Sequence, residues 1–238
     1  MVKNGNLNLS TRDRILRAAG EIFAEYGFRH ATVRKICERA GVNVAAINYY
    51  FRSKEKLHSE VLKYWHEFAI KKYPPLLGVG ENASPEEQLR AFILSFLFRI
   101  LDKGKPAWLG RLMAREMAEP TRAFDHIVKE VMYPLNKLLA RIVREIVGTP
   151  VNEETISLCC ASIMGQCVYY WNAQYISELF QRDMCSREEI RRIADHITRL
   201  SLKGLGEYRH GDQGETPKKK AAGRRKAQEN QREQILLS

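Results

Sequence analysis

The chain lacks any apolar run approaching the ~20 residues that a membrane-spanning helix needs, so no membrane partner is expected. Its first ten residues are polar and rich in Asn, without the basic-then-apolar pattern of a secretory leader. Cysteine is scarce and odd in number, with 5 residues (Cys37, Cys159, Cys160, Cys167 and Cys185) and no C-x-x-C pair. That excludes a disulfide framework and the usual zinc spacings, and fits reduced thiols in a cytoplasmic protein. Redox sensing by these thiols stays open beside burial as small hydrophobes. His58 and His66 stand too far apart along one helix to share a metal ion. No Gly-rich phosphate loop, nucleophile elbow or zinc-protease signature is present, so neither an enzyme nor a cofactor is expected. A sustained alternation of apolar and polar residues is also missing, and no segment repeats another, which leaves an all-α chain.

What is present is helical periodicity and positive charge. The 238 residues are 45% hydrophobic, enough for a real core, and carry a net charge of +11. Such an excess favours a polyanionic partner, either nucleic acid or an acidic surface. Positive charge is concentrated in residues 1–56 and in a tail beginning at Gly211, with the region between nearly balanced.

Nine helices are expected. The first carries Ile15, Ala18, Ile22 and Phe23 on one face and ends at Gly27. Thr32 caps a short second helix with Ile36 and Cys37 inside, Gly41 makes a tight turn, and Asn43 caps a third short helix through Tyr50. Ser53 opens a fourth, which Pro74-Pro75 stops. Ser84-Pro85-Glu86-Glu87 is a capping box with proline at the first helical position. Pro106 starts a sixth helix that Pro120 ends. A long helix is expected from Thr121 to Val147 with a kink at Pro134, another from Asn152 to Phe180, and a last one after the Ser186 capping box. From Gly211 the composition is Gly, Lys, Arg, Gln and Glu, and disorder is expected there. Its Lys and Arg run serves equally as a solubilising terminus or as an added phosphate contact.

The segment TVRKICERAGVNVAAINYYF, Thr32 to Phe51, has the spacing of a helix-turn-helix: a capped short helix, a small-residue turn and a second short helix. Ile36, Ile47 and Phe51 fit a three-helix core, which leaves Tyr49, Tyr50 and Lys54 facing solvent. The Thr32 hydroxyl at a helix N-terminus suits a phosphate, because free amides and the helix dipole favour an anion there. Tyr49 and Tyr50 can donate phenolic hydrogen bonds to phosphates, and Lys54 can neutralise another. Val44, Ala45 and Ala46 are small and apolar, suited to close approach and to thymine methyl groups, while Asn48 can read adenine or bond a phosphate.

These residues carry a resemblance. ILRAAGEIFAEYGFRHATVRKICERAGVN followed by AINYYFRSKEKL resembles the DNA-binding domain of the TetR family over Arg14 to Leu57. Asn48 departs from that pattern, where an aromatic residue is common. PAWLGRLMAREMAEPTRAF, the proline in VMYPL, and IMGQCVYYW are similar to the C-terminal domain of the CecR-type subgroup. Between a flexible start (1–10) and a basic tail (211–238), both read from composition, the resemblance implies an all-α arrangement of a helix-turn-helix domain (11–56) and a helical-bundle ligand-binding and dimerisation domain (57–210). It implies a regulator of a palindromic operator in double-stranded DNA, by default a repressor released by a small-molecule inducer with activation as the alternative, and a homodimer through the last two long helices.

Candidate pocket residues are Phe92, Phe96, Trp108, Met113, Glu116, Tyr133, Cys167, Tyr170 and Trp171, each of which also fits an ordinary core. Arg115 and Glu116 interrupt an apolar helix and are expected to pair with each other or to meet a ligand. Two rival classes share the charge and the helices: a nonspecific architectural or membrane-surface protein, and a small-molecule enzyme on a helical scaffold. A steep salt dependence without sequence preference marks the first, and turnover of a ligand marks the second.

Overall fold

The structure, a computed structural model, describes residues 10–80, 82–102, 107–148, 151–173 and 183–209. Among these residues every regular element is helical: α1 (Thr11–His30), α2 (Val33–Ala40), α3 (Val44–Phe51), α4 (Lys54–Lys72), α5 (Pro85–Leu101), α6 (Ala107–Ala118), α7 (Arg122–Ile127), a π-helical segment (Val128–Met132), α8 (Tyr133–Val147), α9 (Glu153–Ala173) and α10 (Arg187–Arg209). No helix among them is long and apolar enough to cross a membrane. The start at Pro106, the stretch from 174 to 180 and the basic tail lie outside the described residues.

The caps follow the sequence closely. Thr32, Asn43, Ser53 and Ser84 each accept the amide three residues on, satisfying a donor that the first helical turn leaves free. Ser84 and Glu87 close the full reciprocal box. Gly41 sits at φ 65° as the left-handed end of α2, which sets the turn between α2 and α3.

Two elements differ from expectation. Gly27 breaks α1 at φ 73° as foreseen, but the chain resumes helical hydrogen bonding for a last short stretch to His30. The long helix from Thr121 is not simply kinked at Pro134. Proline has no N–H, and its ring crowds the carbonyl four residues earlier, that of Glu130. The backbone widens ahead of it into the π segment, where the Tyr133 amide donates to the Val128 carbonyl five residues back.

The buried side chains form two clusters. One lies among α5, α8, α9 and α10, with Phe92, Leu97, Leu139, Ile142 and Ile193 inside. The other belongs to α1–α4, but it continues beyond them: Trp108 and Leu112 of α6, and Ala123 and Ile127 of α7, are buried in it. Each fully buried Leu, Ile or Phe contributes about 1.5–3 kcal/mol. The head carrying the helix-turn-helix is therefore bonded to α6 by core packing. Gly20 makes the approach possible, since a Cβ there would lie 2.2 Å from the Trp108 ring.

Candidate nucleic-acid interface and effector cavity

The helix-turn-helix is held from below and bare above. Ile47 and Phe51 of α3 are buried beside Ile36 and Cys37 of α2, anchoring one side of the short helix. The opposite side presents Val44, Ala45, Asn48, Tyr49 and Tyr50 to solvent, with Ala46 half-buried. Tyr49 is 78% exposed and Tyr50 42%, and the two rings meet edge to face at 5.0 Å. Two exposed phenol groups beside a helix can donate hydrogen bonds to a phosphate backbone. Thr32 is exposed and its Oγ1 accepts from the Lys35 amide at 3.3 Å, which leaves the hydroxyl proton free to donate.

Lys54 is placed differently from its neighbours. Its ammonium donates to the carbonyls of Phe28 (3.0 Å) and Ala31 (3.1 Å) and lies 4.6 Å from the Phe28 ring centroid. From α6, Arg115 donates to the carbonyls of Ala24 (2.9 Å) and Glu25 (3.0 Å). Two cations from different helices thus cap the broken end of α1, where the dipole leaves negative carbonyls. Arg115 and Glu116 do not pair with each other. Glu116 is buried, accepts from the Thr121 amide (3.2 Å) and hydroxyl (2.8 Å), and has His58 Nε2 at 3.2 Å.

A cavity of about 390 Å³ opens on the far side of α6, between the end of α4 and the helices α5, α8 and α9. Of the expected pocket residues, Phe92, Phe96, Met113 and Trp171 line it. Trp108 is instead buried in the head core against Gly20, and Glu116 is held by Thr121 and His58. Cys167 packs inside the bundle core, Tyr133 is exposed, and Tyr170 lines a separate shallow depression with Tyr169 and His196. Helical periodicity identifies which residues are apolar but not which neighbour they meet. The cavity also contains His66 and Arg99, which composition alone did not single out. Arg99 had a signal: it is the lone charge in the otherwise apolar stretch AFILSFLFRIL. Burial pushes His66 down to about 4, helped by the charge of Arg99, and burial alone pushes Arg99 down to about 10.

Comparison with known proteins settles the family. Residues 15–61 match the model of the bacterial regulatory proteins of the tetR family, and residues 85–205 match the C-terminal domain of the HTH-type transcriptional dual regulator CecR. The chain belongs to the TetR family of transcriptional regulators. It is 28% identical over 163 residues to the HTH-type transcriptional dual regulator CecR of Shigella flexneri, covering 65% of this chain and 73% of that protein. It is 27% identical over 180 residues to the probable HTH-type transcriptional regulator YttP of Bacillus subtilis (strain 168), covering 73% and 83%. Among solved structures, the regulator FadR of Bacillus subtilis in complex with stearoyl-CoA shares the fold at TM-score 0.61 and 20% identity, covering 81% of this chain and 98% of that one. As a TetR-family member with a CecR-type C-terminal domain, the protein is a DNA-binding transcriptional regulator and not an enzyme.

Proposed function

We propose that this regulator is a repressor that binds a palindromic operator as a homodimer and leaves it when a small molecule occupies the cavity between α4 and α6. The exposed side of α3 carries the reading: Val44, Ala45 and Asn48 are free to meet base edges, and Tyr49 and Tyr50 are free to meet phosphates. Thr32 at the start of α2 adds a phosphate contact, and Lys54 acts either directly or by fixing the end of α1 on which α2 is mounted.

Dimerisation through α9 and α10 is supported by their outer faces. Leu158 and Tyr169 of α9 and Leu200 of α10 are exposed apolar side chains, and the exposed Gly165 of α9 and Gly204 of α10 allow close helix approach. A twofold dimer of this kind places its recognition helices about 34–36 Å apart, or a multiple of that, in successive major grooves.

The cavity touches both elements that lead to the head. His66, Ala69 and Ile70 belong to α4, and Leu109 and Met113 belong to α6, whose Trp108, one residue away, is packed into the head core. A ligand that prefers one spacing of these helices shifts the spacing of the two heads. The stearoyl-CoA complex of FadR supports a ligand-holding role for this fold.

The test is an anisotropy titration of a duplex selected by the protein and of its scrambled counterpart, for wild type and Tyr49→Ala. The expected preference is about a thousandfold or more at physiological salt, reduced in the variant. Equal binding of both duplexes, fading together as salt rises, would instead place the protein among nonspecific charge binders.

A further inference from the structure

The cavity has apolar walls, among them Phe92, Ile100, Met113, Met132 and Met164, and its ionisable lining residues among those described are Arg99 and His66. Nε and Nη2 of Arg99 are buried without a hydrogen-bond partner, and its guanidinium lies 5.6 Å from the Phe96 ring centroid. No carboxylate is among the described residues that line the space. Taking two nitrogens of a half-buried guanidinium out of water without partners is unfavourable, and proteins ordinarily pair such groups. Arg99 nonetheless stays cationic at neutral pH, since burial lowers it only to about 10. His66 is neutral there, so the cavity holds one positive charge, with an imidazole beside it that can donate one hydrogen bond.

We propose that the effector is an amphipathic anion, its carboxylate or phosphate monoester head paired with Arg99 and its apolar body lying among Met113, Met132 and Met164. The guanidinium fork presents parallel N–H donors that match such a head in two-point contact. Methionine side chains adapt to an apolar body of variable shape. Because His66 is on α4, Arg99 on α5 and Met113 on α6, one molecule bound this way spans the helices that carry the head. This inference rests on reading the cavity as the effector site.

The experiment uses the full chain, with decanoate, decyl phosphate, decanol and decylammonium as probes. Binding is followed by tryptophan fluorescence, since Trp171 lines the cavity, and by thermal shift. Wild type is expected to bind at least one of the two anions about tenfold or more tighter than decanol, and decylammonium weakest. Which anion is tighter identifies the head. Arg99→Met keeps the apolar stem and should bind decanol while losing the preference for anions; Arg99→Lys should retain part of that preference and controls for folding. Decanol binding as tight as both anions, a preference surviving in Arg99→Met, or binding of none of the probes overturns the proposal. Release from the selected duplex is read in the same samples. Release by decanol as well as by the anions overturns the anion requirement and leaves the effector site standing. Anions that bind through Arg99 and leave DNA affinity unchanged support the anion site and overturn its effector role.

Discussion

Glu116 of α6 and His58 of α4 face each other at 3.2 Å in the middle of the head core, with the Nε2 off the line of a hydrogen bond. The imidazole is packed edge to face on Phe23 at 4.6 Å and tilted against Phe28 at 4.9 Å. Burial alone raises the Glu116 carboxyl, but the nearby imidazole and the Thr121 hydroxyl and amide outweigh it and hold the group below its ordinary range. A carboxylate depressed in the folded state stabilises the fold above its ordinary value near 4.5 and loses that contribution as pH falls toward the native value. Urea unfolding should therefore show stability declining on acidification below about pH 4.5, and Glu116→Gln should flatten that decline. At neutral pH the same variant should be less stable by about 1–3 kcal/mol, because the Thr121 amide loses a charged acceptor.

Gly20 and Trp108 join the head to α6 at a separation no side chain can share. Gly20→Ala should destabilise the protein by about 1–3 kcal/mol through overpacking. Pairing it with Trp108→Leu should recover part of the loss. Thermal melts of the two single variants and the double variant check the coupling.

Lys54 separates two roles that ordinarily travel together. If its main work is capping α1 through Phe28 and Ala31, Lys54→Met should lower the melting temperature and leave the slope of affinity against salt unchanged. A direct phosphate contact would instead reduce that slope by about 0.9. Salt titrations on the selected duplex, combined with melts, decide it.

The thiols offer a check on redox sensing. Burial pushes Cys160 up to about 11, with Cys159 adding to the rise, and burial pushes Cys167 up to about 12. Both should be alkylated by iodoacetamide far more slowly in the folded protein than in urea, because the thiolate is the reacting form. Fast labelling of either in the folded state would favour a sensing role.

The helix caps and the exposed side of α3 are legible in the sequence. Caps at Thr32, Asn43, Ser53 and Ser84 are local, each set by one side chain and an amide three residues on, so sequence spacing reveals them. Exposure of Tyr49 and Tyr50 followed from the burial of Ile47 and Phe51 on the other side of one short helix. The cavity was only partly legible. Trp108 and Glu116 share a helix with Met113, yet the helix serves the head core on one side and the cavity on the other. Arg99 and His66 meet only because α4 and α5 fold together, a relationship that neither helix contains by itself.

Selection of bound sequences from random duplex DNA tests the central claim most directly, carried out with wild type and with Tyr49→Ala. The account predicts enrichment of a palindrome whose half-sites lie about one helical turn apart or a multiple of it, weakened or lost in the variant. No enriched sequence, with binding that merely fades as salt rises, would contradict it.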